Sequence, residues 1–148
     1  MPSGTGALYG NGLLNVLNGN VIWGTDDTYL ALASSSYTPN VDTHDFWNDV
    51  VANEVTGTNW AANGQQADGE TLSLVTASDR VEFDLTDEST ASVTLSDGKH
   101  LIVYTRTPGT DATRELIGFV TMDVALAPAG GTLLLDFSAN GFVSIAYV

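Results

Sequence analysis

Along most of the chain, hydrophobic and polar positions alternate with a period of two, the period of half-buried strands. Leu72 and Leu74, then Val81, Phe83 and Leu85, then Ala91, Val93 and Leu95 each mark one side of an extended run. "KHLIVYTR" follows, and "RELIGFVTMDVALA" puts Leu116, Val120, Met122, Val124 and Leu126 on one face with Gly118 in register. Earlier, Val21–Trp23 and Thr28–Ala33 read as strands across a turn at Gly24–Asp27. Asp97-Gly98 and Asn140-Gly141 are hairpin signals, the second joining "TLLLDFS" to "FVSIAYV". The pattern predicts a meander of about eight strands, each pairing with the next. The fold class is mainly β: a single-domain antiparallel β-sandwich or rolled sheet. Val148 ends the chain inside a strand pattern, so a paired terminus is expected.

Two segments break the alternation. Residues 1–20 are uncharged and rich in Gly and Asn, which predicts an N-terminal arm ahead of one β-rich domain over 21–148. Leu13, Leu14, Val16 and Leu17 make one amphipathic turn that would order on a neighbour. The second segment, "YTPNVDTHDFWNDVVANEVTG", predicts a short helix at about 43–52. Asp42 stands as its N-cap and Asp45 in the capping-box position, with Val41 and Phe46 placed as a hydrophobic staple. Phe46 and Val50, and Trp47 and Val51, are spaced to share helical faces.

Charge narrows the partners. Eighteen acidic against four basic residues give a net charge of −14, and residues 1–79 hold no Lys or Arg. Nucleic acid needs cations to displace its counterions, and an anionic membrane repels such a chain, so neither is an expected partner. The 148 residues suggest one domain. No apolar run approaches the roughly 20 residues of a membrane helix. The start "MPSGTGALYGNG" lacks the basic and apolar regions of a signal peptide, and cysteine is absent.

Candidate chemistry is sparse. Asp42, His44, Asp45 and Asp49 include one histidine, too few for a zinc site, and lack the alternation of a calcium loop. His100 reads as a half-exposed strand residue. No G-x-S-x-G elbow occurs, and Gly4, Gly6, Gly10 and Gly12 form no phosphate-binding loop. No catalytic residue, metal or cofactor is therefore expected. All three tryptophans lie in the first sixty residues. Tyr9, Leu13, Leu14, Leu17, Trp23 and Trp60 are the candidate protein-interface residues, with core packing the competing reading of the aromatics.

The motifs together resemble a family of small tailed-phage virion structural proteins, of the head decoration or minor capsid type. The resemblance rests on the short helix Leu13–Leu17, the stretch W-G-T-D-D-T at Trp23–Thr28, similar to the family's W-x-x-D-T strand start, and Y-T-P-N-x-x-x-H-D-F at Tyr37–Phe46. "HLIVYTRTPGTDATRELIGFVTM" and "GGTLLLDFSANGFVSIAYV" are similar to the family's central strands and closing hairpin. The chain departs at "YLALA", where the family more often carries a basic residue. The resemblance implies a non-enzymatic protein on the outer surface of the phage head, bound to the major capsid protein lattice. It also implies production in the host cytoplasm and stabilisation of the head, and a homo-oligomer is expected, a trimer first. A tail, fibre or head–tail component, or a carbohydrate-binding β-domain, are the alternatives.

Overall fold

The computed structural model describes residues 4–106, 109–138 and 141–146. In chain order the elements are β1 (Gly4–Leu8), α1 (Gly10–Leu17), β2 (Thr28–Ala33), β3 (Glu54–Val55) and β4 (Gln65–Gln66). They continue with β5 (Thr71–Val75), β6 (Arg80–Asp84), β7 (Glu88–Thr94), β8 (Gly98–Thr105), β9 (Leu116–Leu126), β10 (Ala129–Leu135) and β11 (Val143–Ala146). The expectation of a mainly β, antiparallel, sandwich-like domain holds.

The main sheet runs β1-β9-β8-β2-β3, with β4 also pairing β2. Its central strands are apolar on both sides because both faces are covered. In β8 every residue except Lys99 is buried. One face carries Leu30, Leu32, Leu101, Val103 and Ile117 into the larger core, opposite Phe83, Leu85, Val93, Leu95, Leu133 and Leu135. Those come from two smaller sheets, the ribbon β7–β10 and the three strands β11-β6-β5. The other face carries Ala31, Ala33, Ile102, Tyr104 and Leu116, roofed by Tyr9, Tyr37, Trp47 and Val50. Residues 37–53, almost without strand, thus form a third layer.

The meander expectation fails at its two clearest turns. Asp97-Gly98 does not close a hairpin: β7 pairs with β10, and β8 with β2 and β9. Asp97 takes a left-handed φ of +61° and accepts bonds from the Ser35 amide and hydroxyl, carrying the chain from one sheet to another. The last two strands likewise part, β10 joining β7 and β11 joining β6, although Gly141 N–H still closes a turn on the Ser138 carbonyl. The turn residues specify a reversal, and the faces that must be buried decide the pairing. Asn140 and Val148 lie outside the described residues.

Three further expectations are corrected. Residues 43–52 form no α-helix; Trp47–Asp49 and Val51–Asn53 are two short 3-10 turns. Asp42 caps nothing through its side chain, and Asp49 does the capping by accepting from the Asp45 and Phe46 amides at 2.9 and 3.2 Å. Val21–Trp23 is no strand, because the Asp26 carboxylate takes the Ile22 amide and closes a turn. The segment 1–20 is not a loose arm over its described part. β1 pairs with β9 along its whole length, and α1 lies so close to β9 that a Cβ at Gly12 would overlap the Leu116 carbonyl.

Candidate functional site

Polar side chains converge at two places on the side of the main sheet that carries the third layer. In the first, the buried Tyr9 and Tyr37 hydroxyls bond at 2.8 Å, and Tyr37 Oη lies 2.8 Å from His44 Nδ1. Tyr37 stacks on the His44 ring and meets His100 edge-on. The Asn40 amide also donates to His44 Nδ1, so that nitrogen is the acceptor and the Tyr37 hydroxyl donates to it. Burial pushes both tyrosines above their ordinary range, with the hydroxyl partner adding to the shift of Tyr9. His100 is 6% exposed rather than half-exposed, bonds Thr121 Oγ1 at 3.0 Å, and is held below its ordinary pKa by burial. These hydroxyls face each other inside the protein, and their environment deprotonates neither.

The second place is a clasp around Asn63. Arg114 Nη1 donates to Asn63 Oδ1 and Asp111 Oδ1, Tyr104 Oη donates to the Asn63 carbonyl, and Glu54 accepts from the Asn63 amide. Burial raises the Glu54 pKa. The Trp47 ring stacks on Tyr104 at 4.3 Å and 12°. The clasp ties the 57–64 loop to β3, to β8 and to the segment before β9. Among the described residues, no three His, Asp or Glu side chains gather to hold a metal ion.

The six candidate interface residues separate sharply. Tyr9 (0% exposed) and Trp60 (2%) are core. Trp23 is half-buried against Phe83 and Phe142, and its indole N–H donates to the Thr71 carbonyl. Leu13 packs partly against the core. Leu14 (51% exposed) and Leu17 (74%) face outward on α1, a helix without a charged side chain, and Ile22 is exposed just beyond it. Outside the expected set, Leu72, Leu74 (63% exposed) and Ile145 form a second apolar surface. Alternation made Leu72 and Leu74 look like core. It sets which side a residue faces, not how far the covering layer reaches.

No family model matches the chain, and comparison with curated proteins and with solved structures finds no match.

Proposed function

We propose that the protein is a non-enzymatic phage virion protein, a decoration protein that binds the outer surface of the assembled head and stabilises it. The motif series Trp23–Thr28 and Tyr37–Phe46, with its resemblance to small tailed-phage structural proteins, carries the reading. The residues of that series do scaffold work. Asp26 closes the turn before β2, while Tyr37 and His44 lock the third layer to Tyr9. That structural work supports reading the series as scaffold.

A protein that binds only the assembled lattice stabilises it by mass action. The exposed face of α1, Leu14 and Leu17 with Ile22 beyond, is the lattice contact in this reading. It is uncharged in a chain of net charge −14, so docking it removes no carboxylate from water. A homo-oligomer, first of all a trimer, would match a three-fold junction of the lattice.

Point variants test this better than truncation, since removing residues 1–17 would also strip β1 from β9 and Tyr9 from the core. Heads lacking the protein are mixed with wild type or with Leu14→Asp/Leu17→Asp and sedimented. Wild type co-sediments in many copies per head, and the variant stays in the supernatant while melting like wild type. A variant that binds equally well removes α1 from the contact. Wild type that ignores heads and co-purifies with tails overturns the decoration reading.

A further inference from the structure

β5 is the outer strand of the sheet β11-β6-β5, and one of its long sides pairs with nothing among the described strands. Thr71 to Ser73 and Leu74 are exposed, and Val75 is half-buried. The Trp23 indole already engages the Thr71 carbonyl and the Ser78 amide engages the Val75 carbonyl, so the open stretch is Leu72–Leu74. Natural edges are blunted by Lys, Pro or a bulge. "TLSLV" has no charge and no proline, and its pairing with β6 runs in unbroken register.

Two arguments identify what such an edge takes. Unpaired backbone donors and acceptors in a row accept an extended strand. The strand that fits is β5 itself. About a two-fold axis through Ser73, Leu72 of each copy falls opposite Leu74 of the other. The exposed apolar row Leu72, Leu74 and Ile145 then continues from one copy into the next. Charge selects the same edge. Two copies of net charge −14 repel over most approaches, but this strand carries no carboxylate. Arg80 and Glu82, beside it on β6, are paired with each other. In that register Glu70 lies opposite Thr76 of the second copy rather than another acid.

We propose that the open edge of β5 is a self-association surface, where two copies join antiparallel about Ser73 into a continuous six-stranded sheet. The contact centres on Leu72–Leu74 of each copy and falls below the roughly 1,200 Å² of stable interfaces, so the dimer is transient. It is independent of the capsid reading and needs no head particle.

The absence of native cysteine gives a clean probe. Directly opposed residues of an antiparallel pair have Cα atoms within disulfide reach. Ser73→Cys, oxidised with copper phenanthroline, should give a covalent dimer about tenfold faster than Ser36→Cys, an exposed residue in the turn after β2. Adding Leu74→Lys to Ser73→Cys should remove that advantage, and wild type should sediment faster as concentration rises. Both positions are exposed, so unchanged melting separates lost pairing from lost folding. Equal cross-linking at positions 73 and 36, or a sedimentation coefficient independent of concentration, overturns the proposal. So does a monomeric wild type whose β5 takes up an unrelated extended peptide.

Discussion

Asp49→Ala and Asp42→Ala separate two accounts of residues 41–53. If the segment were a capped α-helix, Asp42 would be the cap and its loss would cost about 1 kcal/mol. In the structure the Asp42 side chain is exposed and makes no capping bond, while one Asp49 oxygen accepts from two backbone amides. Hydrogen bonds to a charged acceptor contribute about 1.5–3 kcal/mol each when buried, and Asp49 is only half-buried. Water re-solvates part of what is lost, so about 2 kcal/mol is expected for Asp49→Ala and under about 0.5 kcal/mol for Asp42→Ala. For a domain of this size, 1 kcal/mol shifts Tm by about 2–4 °C, so Asp49→Ala should melt about 4–8 °C low. Asp49→Asn keeps a neutral acceptor and should fall between. Urea titration followed by tryptophan fluorescence measures all three, with Trp47 inside the perturbed turn reporting directly. Asp42→Ala costing as much as Asp49→Ala would refute the argument and restore a helix over 43–52.

Gly64 sits at φ +64° with the Leu30 carbonyl where a Cβ would go, whereas Gly19 at φ +72° faces open space. Gly19→Ala should cost about 1 kcal/mol and Gly64→Ala about 3 kcal/mol or the fold itself, read by thermal denaturation. Tyr37→Phe strands the fully buried Tyr9 hydroxyl and should cost about 1–3 kcal/mol, and Tyr9→Phe/Tyr37→Phe should cost less than the sum of the single changes in a double-mutant cycle. Because burial lowers the His100 pKa, the unfolded chain binds its proton first, and stability falls as pH drops below about 6.5. Burial raises the pKa values of Glu54, Glu88 and Glu115, so these acids act with the opposite sign nearer the carboxylate range. His100→Gln should therefore flatten the stability profile between about pH 7 and 5.5, and an unchanged profile would contradict the assignment.

Period-two alternation made β5 and β6 legible, because a strand with one apolar side writes that period directly, whereas β8, buried on both sides, reads as a continuous apolar run. Partners were not legible, since Asp97-Gly98 encodes a reversal equally well within a sheet and between sheets. The segment 43–52 misled because the acid and apolar spacing that suits a helix cap also suits consecutive 3-10 turns. Which forms depends on Trp47 finding Tyr104 beneath it, a long-range contact. Glycines in α1 looked like looseness, but Gly12 is what lets the helix lie against β9. Of the helix residues, the spacing grouped Leu13, Leu14, Val16 and Leu17 together, and only the position of β9 decides that Leu13 and Val16 pack inward while Leu14 and Leu17 are exposed. Tyr9 and Trp60 were not legible as buried, because an aromatic's sequence neighbours do not reveal the layer above it.

The order of strands in the main sheet sets a timetable for synthesis. β1 leaves the ribosome first, yet its partner is β9, and β2 must wait for β8. Before that β2 can pair only with the two-residue strands β3 and β4, so the sheet closes only when most of the chain is out. Such distant pairings place folding in the slow range of about milliseconds to seconds. Until then β1 lacks its partner and β2 is paired on one side at most, so apolar stretches stand uncovered, the condition under which nascent chains stick together. The region that waits longest, residues 1–79, carries acids and no base. Neighbouring unfinished chains therefore repel one another through the interval when they are most vulnerable.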